Sequence, residues 1–158
     1  MPEPTYRRNV VNSSAFRANH SATGSTSPAY SVSDVVGGKI EITGAFLGYP
    51  GTFTLTNLIV ATRGDMALRL IVFSGDPGTL PADNAAYTWS NATHVVDVVT
   101  LADPVSVDSV YVSRLTDPIV VKQRDDDTST SLFLLLIAAE SATLTGTSIN
   151  ISLTGYQD

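Results

Sequence analysis

Thr52-Phe53-Thr54-Leu55-Thr56-Asn57-Leu58-Ile59-Val60 is the stretch that decides the fold class. Its first half alternates threonine with Phe53 and Leu55, a period of two that places apolar side chains on one face of an extended chain. Its second half becomes continuous through Leu58-Ile59-Val60, the pattern of a strand covered on both faces. Upstream, Lys39-Ile40-Glu41-Ile42-Thr43 alternates in the same way, behind Gly37-Gly38, which supplies a bend or a bulge. Downstream, Arg63-Gly64-Asp65 reads as a turn, after which Met66, Leu68, Leu70 and Val72 share one face and Arg69 takes the other. The two apolar segments and their short glycine-containing link read as a β-hairpin.

The same periods recur to the end of the chain. Strands are expected from His94 to Leu101, from Pro104 to Val112, and at Ile119-Val120-Val121. In Pro104 to Val112 the parity of the valines switches at Asp108-Ser109, which marks a bulge or a turn. Leu132 to Ala139 is nearly all apolar, as a central strand is, and Ile149, Ile151 and Leu153 alternate with Asn150, Ser152 and Thr154. Eight or nine strands at about ten-residue spacing imply an all-β sandwich or barrel with antiparallel neighbours. Helical periodicity is nearly absent. Gly75-Asp76-Pro77-Gly78 is dense turn chemistry, and Asp83 is placed to cap a short helical turn through Asn84-Ala85-Ala86-Tyr87.

Composition agrees. Of 158 residues, 43% are hydrophobic and only 15% charged. A domain of this length buries roughly 70% of its unfolded surface, so it needs neither metal nor disulfide to fold. Cysteine is absent, which removes disulfides and thiolate chemistry. The net charge is -6, and so few bases make a poor nucleic-acid binder. The charge is uneven. Residues 1–40 hold four bases against two acids, and the remainder holds five bases against thirteen acids. Residues 1–30, polar and Ser/Thr/Asn-rich, read either as an extended N-terminal arm reaching over a neighbour or as a first edge strand, and residues 31–158 as the sandwich. The first residues lack an apolar signal core, and no apolar run is long enough to span a bilayer, so a soluble protein with no membrane partner is expected.

Residues able to do chemistry are scattered. His20 and His94 have no cluster of ligands around them in sequence, so no metal is expected. Asp125-Asp126-Asp127 lacks the spaced pattern of a calcium loop and reads as a solvated turn. No nucleophile elbow appears, and the glycine-rich turn at 75–78 lacks the Lys-Ser/Thr ending of a phosphate loop. Neither cofactor nor enzymatic activity is expected. The sequons at Asn12, Asn19, Asn91 and Asn150 are what a Ser/Thr-rich chain produces by chance. Tyr87 and Trp89, the sole tryptophan, sit in the 74–91 excursion. They read either as a binding hot spot on a loop or as aromatics that fold back and plug the end of the sandwich.

A more specific resemblance is carried by ordered motifs. Tyr30-Ser31-Val32-Ser33-Asp34-Val35-Val36-Gly37-Gly38 resembles the Y-x-x-x-D-V-V-G-G opening of small tailed-phage virion proteins. Leu70-Ile71-Val72-Phe73 with Asp76-Pro77, then Asp83-Asn84-Ala85-Ala86, then Leu132-Phe133-Leu134-Leu135-Leu136 and a terminal Gln157-Asp158 follow in the same order as in that group. The resemblance covers residues 30–158 and is to the tailed-phage capsid decoration (cement) protein family. It implies a β-sandwich or jelly-roll body, a homotrimer, and the major capsid protein as partner, on the outer capsid surface of a virion assembled in the host cytoplasm. Such proteins lock neighbouring capsomers together, and no catalytic residues carry over. In that role the basic arm, with Tyr6, Arg7, Arg8 and Arg17, would lie across an acidic capsid surface, and the acidic body would face solvent. The alternative is a receptor- or glycan-binding head of a phage fibre that uses Tyr87 and Trp89 as a stacking platform. A sandwich-fold carbohydrate-active enzyme with an acid pair among the strands is a third reading.

Overall fold

The computed structural model describes residues 14–88, 94–124 and 126–158. Within them lie ten strands: β1 Ser14–Thr23, β2 Val35–Ile42, β3 Thr52–Arg63, β4 Leu68–Phe73, β5 Val95–Thr100, β6 Val105–Val107, β7 Val110–Arg114, β8 Ile119–Lys122, β9 Leu132–Ala138 and β10 Gly146–Gln157. They form two antiparallel sheets. The first runs β1-β10-β3-β7-β6, with β8 also paired to β3, and the second runs β2-β9-β4-β5. The pairing is nested: β1 with β10, β2 with β9, β3 with β7 and β8, β4 with β5. That is one long hairpin rolled over on itself, a jelly-roll β-sandwich.

The main core fills the space between the sheets, where Phe53, Leu55, Leu58 and Val60 of β3 meet Leu68, Leu70, Val72, Leu134 and Leu136. Phe53 is held edge-on between Phe16 of β1 and Phe46, at ring-centroid distances of 5.6 and 6.4 Å. Gly155 lies over that ring, and a Cβ there would sit 2.4 Å from the Thr54 carbonyl oxygen. A second cluster lies on the outer face of the four-stranded sheet. Ile71, Phe73, Phe133, Leu135 and Ile137 are buried there, with Leu80, Tyr87 and Val95 packed on them. The continuous run of β9 is thereby explained. Leu132, Leu134, Leu136 and Ala138 point into the main core, and Phe133, Leu135 and Ile137 into the second.

Two local expectations are corrected. Residues 52–60 and 66–72 do not form a hairpin, because β3 belongs to the first sheet and β4 to the second. Alternation reports which face is apolar and is blind to whether a turn closes a ladder or arches across a core. Here the link arches: Met66 is fully buried, the Thr62 hydroxyl donates to the Gly64 carbonyl (3.0 Å), and Ala67 N–H donates to the Glu140 carboxylate (3.0 Å). Nor does Asp83 cap a helical turn. Asn84 has φ 58°, outside the helical region, and the segment lies along the edge of β2. Asn84 N–H donates to Val35 O (2.8 Å), Val35 N–H to Ala85 O (2.9 Å) and Tyr87 N–H to Ser33 O (2.9 Å). An otherwise open sheet edge is thus covered.

Other sequence expectations hold. Gly37 and Gly38 have φ of 81° and 79°, at the point where the β2–β9 register slips. Asp108 and Ser109 are a turn: both have positive φ, as a two-residue type I′ hairpin requires, and they join β6 to β7. The strand total exceeds eight or nine because that turn divides 104–112 and because residues 14–23 form a strand of their own.

Candidate interaction surface

The outer face of the six-stranded sheet carries exposed apolar side chains and cations. On the β6–β7 hairpin, Val105 pairs with Val112 and Val107 with Val110. All four project outward, since the intervening Ser113 is buried and pairs with the buried Val60. Val105 and Val107 are 65% and 64% exposed. Val112 pairs in turn with Ala61 of β3, which extends the apolar strip into the sheet. A second outward row runs Val120, Thr54, Tyr156, Ala15 across β8, β3, β10 and β1. Val120 and Tyr156 are large and exposed. The four valines lie together on one hairpin, and a cluster of this kind marks an interaction site more often than a single exposed valine does.

The charge borne by the strands of this sheet is of one sign, with the acids Asp108 and Asp158 at strand ends. Arg17 of β1, Arg63 of β3, Arg114 of β7 and Lys122 of β8 are all exposed and share the outward parity. None of the six strands contains an aspartate or glutamate. The two acids borne on strands, Glu41 and Asp97, both belong to the four-stranded sheet. The net-acidic body therefore includes one sheet whose strands hold bases and no acid. A chain of net charge -6 presents one cationic and apolar sheet face, because the strands bring four separated bases onto one surface.

A polar cleft of about 600 Å3 opens between the loops at Ser74, Lys122, Gln123, Arg124 and Asp126. Its groups are engaged with one another. Arg124 pairs with Asp126 through two nitrogens and lies against the His94 ring, whose backbone has φ 65°. The Asp127 carboxylate accepts Asp76 N–H (2.6 Å) and Ser129 N–H (2.8 Å). Asp76 accepts Gly78 N–H (2.8 Å) and pairs with Lys39 (3.1 Å). The Gly78 N–H is the main reason that the Asp76 carboxyl lies below the ordinary carboxylate range, and the Arg124 hydrogen bond does the same for Asp126. The buried Gln123 side chain accepts Gly51 N–H (3.1 Å) and donates to Asp127 O (2.8 Å). These bonds fasten the 123–131 loop to its neighbours. Among the described residues no three His, Asp or Glu side chains converge as metal ligands, and no helix is long and apolar enough to cross a membrane.

Tyr6, Arg7, Arg8 and Trp89 lie outside the described residues, as do Asp125 and the sequons at Asn12 and Asn91. Arg17 stands on the outer face of β1, opposite Thr154. Tyr87 is half-buried on the outer face of the four-stranded sheet, not at the end of the sandwich, and burial raises its phenol pKa. Arg17 and Tyr87 therefore sit on opposite faces of the sandwich and do not form one site. Sequence reasoning missed Arg63, Arg114 and Lys122 as a group, because no local signal links positions so far apart. It also missed the joint role of the Asp34-Val35-Val36-Gly37-Gly38 and Asp83-Asn84-Ala85-Ala86 motifs, which lie side by side, with the Asp83 carboxylate accepting Gly37 N–H at 2.6 Å.

No protein-family model matches the chain, and no curated protein matches it. Among solved structures, a chain of the Maize Chlorotic Mottle Virus structure revealed by single particle analysis is similar over 90% of this chain and 93% of that chain, at 10% identity and a TM-score of 0.29. A likeness that slight bears on neither fold nor role.

Proposed function

We propose that this chain is a structural virion protein of the decoration (cement) type, which docks on the outer surface of a capsid and stabilises neighbouring capsomers by binding, without catalysis. The observation that carries this reading is the outward valine array of β6 and β7, with Arg114 beside it on β7 and Lys122 farther along the same sheet face on β8. Apolar surface fixed on a rigid hairpin gives contact area at low entropic cost, and cations of one sign steer it toward an acidic partner. The resemblance of the ordered motifs to tailed-phage decoration proteins supports the major capsid protein as that partner. In this reading the basic arm, with Tyr6, Arg7, Arg8 and Arg17, lies across an acidic capsid surface. Attachment as a homotrimer would multiply modest contacts into high avidity.

The test is co-sedimentation of the purified chain with undecorated capsids. The double variant Val105→Ser, Val107→Ser is expected to keep its fold and lose at least roughly tenfold in capsid affinity, about 1.4 kcal/mol. Deleting residues 1–13 is expected to weaken binding further. Unchanged binding in the valine variant would overturn the reading.

A further inference from the structure

Beside the valine hairpin, the same sheet face carries two adjoining depressions. One depression of about 250 Å3 crosses β1, β10 and β3, walled by Asn19, Ser21, Asn150 and Ser152 and floored by Ile59 and Ala61. A second, of about 180 Å3, shares Ala61 and Asn150 and ends at Arg63, Ser148 and Val110. Together they reach the lower part of the size range of small-ligand clefts, roughly 300–1,000 Å3. The β10–β3 register slips here, from Gly146 opposite Arg63 to Asn150 opposite Ala61. Irregularities of this kind re-aim side chains and recur beside binding sites.

We propose that this groove binds an acidic oligosaccharide, with Asn19, Ser21, Asn150 and Ser152 engaging its hydroxyls and Arg63 its carboxylate. Two Asn-x-Ser tripeptides meet head to tail across β1 and β10. Asn19 lies opposite Ser152, and Ser21 opposite Asn150, with Ser21 Oγ donating to Asn150 Oδ1 at 3.3 Å. The result is a square of two amides and two hydroxyls, each able to donate and to accept, as adjacent sugar hydroxyls do. The aliphatic floor suits the C–H face of a sugar ring. Among the described residues Arg63 has no carboxylate within ion-pair distance, so its planar guanidinium is open to a ligand carboxylate.

Competing ligands fit less well. Peptides add to sheet edges through backbone bonds, whereas this groove crosses the middle of a sheet and offers side chains. Single-stranded nucleic acid calls for several aromatic platforms and a track of cations, and the groove lining holds Arg63 and one ring, the His20 imidazole.

The test uses the full chain titrated by calorimetry with tetragalacturonate, 3′-sialyllactose and a hyaluronan tetrasaccharide, with maltotetraose and oligo-dT as comparators. At least one carboxylated probe is expected to bind, more tightly than either comparator. Arg63→Gln and Asn150→Ala are each expected to weaken it roughly tenfold, with unchanged melting temperatures. The gentler Asn150→Ser guards against a folding defect and is expected to weaken binding in the same direction. Binding is expected to survive Val105→Ser, Val107→Ser, which separates failure of this site from failure of capsid docking. No binding by any carboxylated probe, equal binding of maltotetraose, preference for oligo-dT, or full affinity in both groove variants would each overturn the proposal.

Discussion

Asp83 shows how much of this structure depends on single polar contacts between segments remote in sequence. Its carboxylate accepts the Gly37 N–H at 2.6 Å and the Tyr30 hydroxyl at 2.7 Å, and that hydroxyl accepts Ser25 N–H at 2.6 Å. Tyr30 is almost fully buried, and burial first, with the Asp83 bond second, raises its phenol pKa strongly. One carboxylate therefore ties the segment around Asp83, the start of β2 and the segment after β1 to one another. Removing it leaves a backbone donor and a buried hydroxyl without their acceptor. An unsatisfied group of this kind costs about 1–3 kcal/mol. Asp83→Ala is expected to lower stability in urea denaturation by at least that amount, and Asp83→Asn, which keeps an acceptor oxygen, to restore most of the loss. Equal stability of Asp83→Ala and the parent would show that water replaces the carboxylate.

At the scale of elements, β9 is the keel. It lies between β2 and β4 and is buried on both faces, one toward the main core and one toward the cluster beneath Leu80, Tyr87 and Val95. The second cluster makes residues 80–87 part of the packed structure. Leu135 points into that cluster and away from the sandwich interior. Leu135→Ala is expected to cost about 2–5 kcal/mol, as a leucine cavity in a well-packed core does. If that segment were loosely attached, the loss would be far smaller, because the site would collapse or admit water. Hydrogen exchange at the Val35 and Tyr87 amides, which bond across this junction, reads the same question without a substitution.

At the scale of the whole molecule, charge is segregated by face. Four of nine bases stand on the outer face of one sheet whose strands hold no acid, although acids outnumber bases 15 to 9 in the chain. Such an arrangement orients the approach to an acidic partner and acts mainly on the association rate. Capsid association is therefore expected to slow when ionic strength rises from about 0.05 M to about 0.5 M, where screening shortens the Debye length to a few ångströms. Arg114→Glu, Lys122→Glu is expected to remove most of that salt dependence in biolayer interferometry while leaving the melting temperature within a few degrees. A parent association rate that ignores salt would mean that the apolar array alone drives docking.

Local pattern determined that the protein is all-β, because strand period, turn residues and a doubly buried run such as Leu132 to Ala138 are written in neighbouring positions. The Asp108-Ser109 turn and the Gly37-Gly38 irregularity were legible for the same reason: the backbone angles they require belong to the residues themselves. Only the tertiary structure decided that Gly64 lies in an arch between sheets, that Asp83 binds a glycine on another strand, and that Arg17, Arg63, Arg114 and Lys122 share a face. Each of these depends on which strands become neighbours. A period of two records the face of every side chain and nothing about the strand beside it.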